Sequence, residues 1–394
     1  MELNYKGKKD INDIVNNTPP AFLEGIWNES SNKLIKGNNL HTLKALITNY
    51  NLKGKIDLIY IDPPFSTNTV FTIGEERVST ISSKKDDEIA YSDNLKGNEF
   101  LEFLRERLIL ARELMSDKSS IYLHIDYKIG HYVKIIMDEI FGVENFRNDI
   151  TRIKCNPKNF DRKAYGNIKD LILFYSKTKD LIWNDPKTIF TEDDINRLFK
   201  KVDENGRRYT TIPLHAPGET KNGVTSQEFR GIKPPAGRHW RCDPKILEEL
   251  DLQGLIEWSS NGVPRKKIFA DEQDGKKLQD IWDFKDYQYP VYPTEKNLDL
   301  LKTIISASSN EKSIVMDFFC GSGTTLIASQ ELGRTWIGID QSEKAIEVTK
   351  KKINAIPNSL FSSVNYDYLY EKNIEEYTPT PSLASALNIA RVGN

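Results

Sequence analysis

The chain has 394 residues, 38% of them hydrophobic and 28% charged, so it is long enough for two or three globular units. With 55 Lys and Arg against 57 Asp and Glu, its net charge is −2, and a nucleic-acid partner would have to bind local basic patches. No run approaches the roughly 20 apolar residues of a membrane span, and the N-terminus has no signal-peptide features. Three widely spaced cysteines give no metal-binding pattern. We expect a cytoplasmic protein with no membrane partner and no metal.

Strands and helices alternate along the first part of the chain. A strand at residues 33–36 leads through a turn into a helix whose apolar residues recur three and four apart from Leu40. The elements predicted next are strands at Ile56–Ile61, Ser120–Ile125 and Asp170–Tyr175, and helices at Phe100–Met115 and Tyr132–Phe141. Such alternation indicates an α/β fold with a doubly wound, mostly parallel sheet.

The pattern changes between about residues 178 and 289, where short runs are broken by Pro and Gly, and this indicates an inserted module. Alternation then returns with strands at Ile314–Met316 and Thr335–Ile339 and with the helices that follow them. The predicted organisation is an N-terminal extension (1–32), a first half of the sheet (33–177), an insertion (178–289), a second half (290–356) and a C-terminal tail (357–394).

A glycine-rich loop follows the predicted strand at Ile314–Met316 and opens a helix. Gly321 and Gly323 would let the backbone approach a nucleotide-like ligand closely. A dinucleotide fingerprint would have Gly or Ala where this chain has Leu326, and the Gly-Lys-Ser/Thr of a phosphate-binding loop is absent. The loop therefore favours a ligand with a ribose and no phosphates.

Two carboxylates flank this loop. Asp340 ends the next strand, about 20 residues later, where a carboxylate can accept both ribose hydroxyls. Asp317 ends the preceding strand and is placed to hold the positively charged amino end of a methionine-like group. Together with the glycines, they predict a cofactor site.

A second loop, Asp62-Pro63-Pro64-Phe65, follows the strand at Ile56–Ile61. The residues of this loop suit methylation of an exocyclic amine on a base. Such an amine is a poor nucleophile because its lone pair is delocalised into the ring, so its methylation requires acceptors for the hydrogens of the amino group. Asp62 and the Pro63 carbonyl can accept, the prolines restrict the backbone, and Phe65 offers a ring for stacking. Alone, these residues are equally consistent with a strand end, since Pro-Pro cannot continue a ladder. Paired with the glycine loop, they predict a catalytic site.

The two loops, in this order, resemble those of the β class of S-adenosylmethionine-dependent DNA amino-methyltransferases, in which the cofactor motif comes last. The resemblance covers roughly residues 34–353 and rests on the segments 37–40, 62–65, 292–296, 317–325 and 336–340. Segments 232–240 and 262–265 resemble modification subunits of type III restriction systems. Two positions depart from the family pattern, where proline is more usual: Phe318, and Asn297 after Lys296.

The resemblance implies a circularly permuted, seven-stranded-type methyltransferase sheet with a target-recognition insertion and S-adenosyl-L-methionine as cofactor. The catalytic residues would be Asp62, Pro63, Pro64 and Phe65. The cofactor-binding residues would be Asn39, Tyr292, Pro293, Thr294, Lys296, Asp317, Phe318, Phe319, Gly321, Gly323, Thr324, Thr325 and Asp340.

Basic and aromatic residues of the insertion are candidates for DNA contacts, because they can grip phosphates and stack on bases. The same residues are equally consistent with a small core and a charged rim. The candidates are Arg230, Lys233, Arg238, Trp240, Arg241, Arg265 and Lys266.

The leading hypothesis is methylation of the N6 amino group of adenine at a specific site in double-stranded DNA, after base flipping. Asp rather than Ser before the two prolines resembles the adenine-specific members. Cytosine-N4 methylation is the alternative, and a DNA-binding specificity subunit without catalysis is an alternative of another class. Leu326 disfavours a nicotinamide-linked oxidoreductase. Candidate partners, besides DNA, are a second copy of the chain and a restriction subunit.

Overall fold

The structure is a computed structural model that describes the greater part of the chain. The described residues are 2–64, 70–74, 77–79, 88–92, 97–157, 163–288, 295–356 and 364–372. The chain divides into two compact units. Unit 1 combines Met1–Asn184 with Gln279–Asn394, and unit 2 is Asp185–Leu278.

The elements are numbered in chain order. Up to residue 184 they are α1 (Ile11–Asn17), β1 (Leu23–Glu24), β2 (Asn32–Lys36), α2 (Asn39–Thr48), β3 (Ile56–Ile61), β4 (Val70–Gly74), β5 (Arg77–Ser79), β6 (Glu88–Ser92), α3 (Asn98–Leu114), β7 (Met115–Ile125), α4 (Tyr127–Phe141), β8 (Phe146–Ile153) and β9 (Lys169–Ser176). Unit 2 contains β10 (Lys187–Thr188), α5 (Glu192–Leu198), β11 (Lys201–Val202), β12 (Arg208–Pro213), β13 (His215–Pro217), β14 (Arg238–Trp240), α6 (Pro244–Leu252), β15 (Ile256–Trp258), β16 (Pro264–Phe269) and β17 (Lys276–Lys277). The remainder of unit 1 contains β18 (Ile281–Asp283), α7 (Leu298–Ser308), β19 (Ile314–Asp317), α8 (Thr324–Glu331), β20 (Thr335–Asp340), α9 (Glu343–Ala355) and β21 (Tyr366–Glu371).

The main sheet of unit 1 has the strand order β1-β21-β2-β20-β19-β3-β7-β9-β8-β18. Every neighbouring pair is parallel except those made by β1 and β9. This confirms the predicted α/β fold with a mostly parallel sheet. The order is permuted relative to the chain, because β19, which comes late in the sequence, lies in the middle beside β3.

Helices cover both faces of this sheet, as a doubly wound fold requires. In β2 the neighbouring residues Leu34 and Ile35 are both fully buried but belong to different apolar clusters. The cluster of Ile35 includes residues of α2, α3 and α4, and the cluster of Leu34 includes residues of α8 and α9. Because successive side chains of a strand point to opposite faces, the two sets of helices lie on opposite sides.

Three strands extend the sheet beyond its seven central strands, and they shift the predicted boundaries. The strand β18 pairs with β8, so the main sheet resumes within the predicted insertion, whose compact part is Asp185–Leu278. At the other edge β21, from the predicted tail, pairs with β2 and with β1 of the predicted N-terminal extension. The strands β1 and β18 have only two and three residues and carry little periodic signal, and β21 lies in the tail, where the sequence pattern indicated no element.

Unit 2 is built from small antiparallel sheets, including the four-stranded sheet β11-β12-β16-β15 and the pair β13-β14. Its apolar core consists of Leu214, Phe229, Trp240, Leu247 and Ile256. Within the described residues of the chain, no helix is both long enough and apolar enough to cross a bilayer.

Because β21 contributes the fully buried Leu369 to the main core, we predict that Leu369→Ala lowers the free energy of unfolding by about 2–5 kcal/mol. Urea denaturation measures this change. Leu252→Ala removes the same atoms from a side chain that is 80% exposed, and its effect should stay within about 0.5 kcal/mol. Equal effects of the two substitutions would contradict the placement of β21.

Candidate active site

The catalytic and cofactor loops leave neighbouring strands of the main sheet. In the β3–β19 pair, Leu58 lies opposite Val315 and Ile59 opposite Met316. Asp62 follows the end of β3 and Asp317 is the last residue of β19, so the two carboxylates lie at the same edge. The carboxyl edge of a parallel sheet is where such folds bind ligands.

Asp62 has one engaged and one unengaged carboxylate oxygen. Its Oδ2 forms an ion pair with Lys296 Nζ at 2.5 Å, and the Asp62 side chain is only 16% exposed. Its Oδ1 is buried and has no hydrogen-bond partner within the described part of the chain. A buried acceptor without a donor is costly, so this oxygen is suited to accept a hydrogen bond from a ligand. Pro63 is buried and Pro64 half-buried beside it, while Phe65 lies outside the described residues.

Two positions of the glycine loop require glycine, because of their backbone angles and, at Gly323, because of a close contact with α9. Gly321 and Gly323 adopt φ angles of 51° and 77°, a region that other residues rarely enter. A Cβ on Gly323 would lie 2.7 Å from Cγ2 and 2.8 Å from Oγ1 of Thr349. The Thr349 hydroxyl in turn donates to the Gly321 carbonyl at 2.9 Å. The loop thereby approaches α9 closely and leads into α8 at Thr324.

Asp317 is buried beneath this loop. Its Oδ1 accepts a hydrogen bond from the Phe319 amide at 3.0 Å, and its Oδ2 accepts one from the Thr325 hydroxyl at 2.5 Å. Burial raises the pKa of Asp317 from 3.8 to about 7; the two hydrogen bonds oppose this shift, while the negative charges of Asp62 and Asp340 add to it. A cation that approached this carboxyl group would favour its ionised form.

Asp340 supports the glycine loop from the next strand. Its Oδ2 accepts from the Gly321 amide at 2.9 Å and its Oδ1 from the Ser342 amide at 2.8 Å. Burial raises the pKa of Asp340, and these backbone donors oppose the shift. Each carboxylate oxygen retains a second lone pair, so the predicted contact with ribose hydroxyls stays compatible with this geometry.

Asn39, predicted as a cofactor residue, connects α2 to the cofactor loop. Its Nδ2 donates to the Phe318 carbonyl at 2.8 Å, and its Oδ1 accepts from Arg107 Nε at 2.6 Å. The Arg107 guanidinium also lies 3.5 Å from the centre of the Phe103 ring, which contacts Phe319. Sequence reasoning missed Arg107, because α3 contains seven charged residues among its 17 and nothing in the local pattern distinguishes this one.

A buried polar network lies behind the catalytic loop and was also missed. The Tyr60 hydroxyl lies 2.9 Å from His124 Nδ1, and His124 Nε2 lies 3.3 Å from Asp170 Oδ2. Burial lowers the pKa of His124, although its hydrogen bond to Asp170 opposes this. For Asp170, burial is outweighed by His124 and by Lys154, whose Nζ is 2.6 Å away, and the pKa is lowered. The network therefore places an imidazole between a phenol and a carboxylate.

Of the other predicted cofactor residues, Lys296 contacts Asp62, and Tyr292, Pro293 and Thr294 lie outside the described residues. Within the described chain, no group of three His, Cys, Asp or Glu side chains is arranged to hold a metal ion.

The predicted DNA contacts in unit 2 fall into two classes. Trp240 is 1% exposed and donates to the Gln227 carbonyl at 2.9 Å, so its ring belongs to the core and is not available for stacking; this corrects its predicted role. Of the others, four are exposed, Arg265 is half-buried, and all five have partners of their own. Arg230 pairs with Asp251, Lys233 with Glu228, Arg238 with His215, Arg241 with the Pro213 carbonyl and Arg265 with Thr211. Lys266 is half-buried in β16. Their role in DNA binding stays a prediction.

The model of the N6/N4 DNA methylase family matches residues 56–351. The chain belongs to this DNA methylase family. The DNA methylase is 38% identical over 365 residues to the type II methyltransferase M.EcaI of Enterobacter cloacae, covering 89% of this chain and 77% of that protein. The predicted resemblance to DNA amino-methyltransferases is thus confirmed.

More distant relatives include subunits of restriction systems. The DNA methylase is 27% identical over 392 residues to the type III restriction-modification enzyme StyLTI Mod subunit of Salmonella typhimurium, covering 88% of this chain and 58% of that subunit. The chain therefore spans little more than half the length of that subunit. Among solved structures, the M1.HpyAVI–SAM complex matches with a TM-score of 0.44 and 18% identity over 81% of this chain and 99% of the other.

We predict that Gly323→Ala destabilises the protein by more than about 2 kcal/mol, because it combines backbone strain with the collision at Thr349. Gly333→Ala is the matched control, because the φ of Gly333 is +71° and nothing lies within 4 Å of an added Cβ. This variant should lose only the stability that corresponds to the backbone strain, about 1–2 kcal/mol. Chemical denaturation of both variants measures the difference, and equal losses would refute the close approach.

We predict that Asp317 makes the free energy of unfolding depend on pH. The Asp317 carboxyl group has a pKa of 3.8 in the unfolded chain and about 7 in the folded chain, so its protonation stabilises the fold at low pH, and this contribution is lost as the pH rises between these values. Asp317→Asn lacks the contribution. The free energy of unfolding of the wild type minus that of the variant should therefore fall by up to about 4 kcal/mol between pH 4 and pH 8. Urea denaturation across this range measures it, and a constant difference would contradict the prediction.

Proposed function

We propose that the protein is a DNA methyltransferase that transfers a methyl group from S-adenosyl-L-methionine to the N6 amino group of adenine. The observation that carries the proposal is the unpartnered, buried Oδ1 of Asp62, at the sheet edge that also holds Asp317. An acceptor in this position is what an amino group needs to react. Membership of the DNA methylase family supports the reaction class.

The residues of the cofactor loop fit an S-adenosylmethionine-like ligand. Asp317 is a buried carboxyl group that accepts from two neutral donors, the Phe319 amide and the Thr325 hydroxyl, so a cationic amino group could balance its charge. Gly321 and Gly323 leave the backbone open to close approach, and Asp340 is placed for ribose hydroxyls. When bound, this cofactor supplies a sulfonium methyl group. Below pH 7, binding of its amino group beside Asp317 would be accompanied by release of a proton.

The catalytic loop orients and activates the amino group. Asp62 Oδ1 and the Pro63 carbonyl accept its two hydrogens, which draws the nitrogen lone pair out of conjugation with the ring. Asp62 and Pro63 would hold the amino group while a bound cofactor supplies the methyl group, and Asp62 Oδ1 would receive the proton that the methylated nitrogen gives up. Holding the reacting groups in the correct orientation can lower the activation barrier by up to about 7–11 kcal/mol.

The finer assignments have separate support. Adenine is favoured over cytosine by Asp62, since Asp before the two prolines resembles the adenine-specific pattern. DNA recognition is assigned to the surface of unit 2, where Arg230, Arg238 and Arg241 lie. A restriction subunit as partner is suggested by the Mod subunits among the relatives. A homodimer stays a prediction.

The test is incubation of the protein with S-adenosylmethionine carrying a labelled methyl group and with DNA of diverse sequence. Mass spectrometry of the nucleosides should find the label in N6-methyladenine. Label in N4-methylcytosine would establish the cytosine alternative, and absence of label from DNA would refute the proposal, leaving a binding-only subunit.

We predict that Asp62→Asn lowers the methylation rate by about 10²–10⁴-fold, because the amide presents a weaker acceptor to the amino group. Cofactor affinity should be nearly unchanged, since Asp62 contacts the base. Single-turnover kinetics and equilibrium dialysis measure the two quantities. A variant with a wild-type rate would show that Asp62 is not the acceptor.

A further inference from the structure

A short segment before α7 contacts both loops of the site. Lys296 Nζ lies 2.5 Å from Asp62 Oδ2 in the catalytic loop. The preceding residue, Glu295, forms an ion pair with Lys352 of α9. The Lys352 ammonium also donates to Ser322 Oγ, in the glycine loop, at 3.2 Å. Two adjacent residues therefore connect the catalytic loop with the cofactor loop.

These ion pairs are shielded from solvent. The side chains are 11% and 16% exposed in the Lys296–Asp62 pair and 21% and 11% exposed in the Lys352–Glu295 pair. An exposed pair contributes little because water and salt screen it, whereas a shielded pair holds its geometry and is costly to break. The segment can therefore fix the position of the groups that it contacts.

The pairing also sets which oxygen of Asp62 faces the substrate. Lys296 holds Oδ2, so rotation of the carboxylate is restricted and Oδ1 is left as the acceptor. The direction of this acceptor then depends on where the Lys296 ammonium lies, which depends in turn on the backbone at Glu295. A misplacement of about 1 Å in such a group can cost about 100-fold in rate.

We propose that Glu295 and Lys296 form a clamp that aligns the Asp62 carboxylate with the cofactor loop. Lys296 is a positioning residue for Asp62, and Glu295 anchors the segment to Ser322 through Lys352. This inference rests on the proposed methyl transfer. It assigns Lys296 to the catalytic carboxylate, whereas the sequence resemblance implied a cofactor contact.

The test compares Lys296→Met with the wild type in single turnovers at saturating DNA and S-adenosylmethionine. The rate should fall about 100-fold while the Kd for the cofactor changes by less than about threefold. Lys296→Arg restores a cation at the same place and should recover at least about a tenth of the wild-type rate. Glu295→Gln loosens the anchor and should lower the rate about tenfold.

Lys302→Met is the matched control, because Lys302 forms a more exposed pair with Glu331, at 2.6 Å, on α7 and α8. Its rate should equal that of the wild type. A double variant, Lys296→Met with Asp62→Asn, separates loss of folding from loss of positioning. It removes the Asp62 carboxylate, whose charge Lys296→Met alone leaves without its ion-pair partner. The double variant should recover the melting temperature of the wild type but not its rate.

The outcomes distinguish the clamp from the proposed function. Methylation by the wild type together with an undiminished rate in Lys296→Met would overturn the clamp alone. A Lys296→Met variant with weak cofactor binding and a wild-type rate at saturation would make Lys296 a cofactor ligand and would also overturn it. No methylation by the wild type would refute the proposed function itself.

Discussion

The site depends on the register between β3 and β19. These strands are neighbours in the sheet although they lie far apart in the chain, and a slip by one residue would turn the side chain of Asp317 to the opposite face. Asp57 fixes the register from within β3. Its Oδ2 accepts from the Ile314 amide, where β19 begins, and its Oδ1 from the Ser116 hydroxyl of β7, both at 3.0 Å. The catalytic and cofactor loops lie at the same edge of the sheet because these hydrogen bonds of Asp57 form in one register only.

Two buried carboxyl groups in this unit differ in what compensates their charge. Asp170 lies near two cations, with Lys154 Nζ at 2.6 Å and an Arg152 nitrogen at 3.7 Å, and its pKa is lowered. Asp317 accepts hydrogen bonds from a hydroxyl and a backbone amide, both neutral, and burial raises its pKa. The first pattern is typical of a structural ion pair. In the second, a cationic ligand would stabilise the ionised form.

The sequence predicted what depends on local pattern. Regular alternation gave the parallel sheet, and glycine and proline marked the loops that follow β19 and β3, because these residues restrict or free the backbone wherever they occur. It could not predict pairings between distant residues. Arg107 with Asn39, and His124 with Tyr60 and Asp170, become neighbours only when the sheet forms. Trp240 shows another limit: as an aromatic residue among basic ones it was equally consistent with a DNA contact and with a small core, and it lies in the core of unit 2.

The permuted order of the chain explains why such distant contacts concentrate around the site. The loops after β3 and β19 have no short connection, so nothing local fixes one relative to the other. Asp57 ties the beginnings of β3 and β19 together, and the Lys296–Asp62 pair acts at their other end. Glu295 and Lys296 precede α7, and α7 leads into β19, the strand that the cofactor loop follows. The segment that contacts Asp62 therefore belongs to the same connection as β19. Placement of that strand and orientation of the catalytic carboxylate are therefore coupled in one stretch of chain.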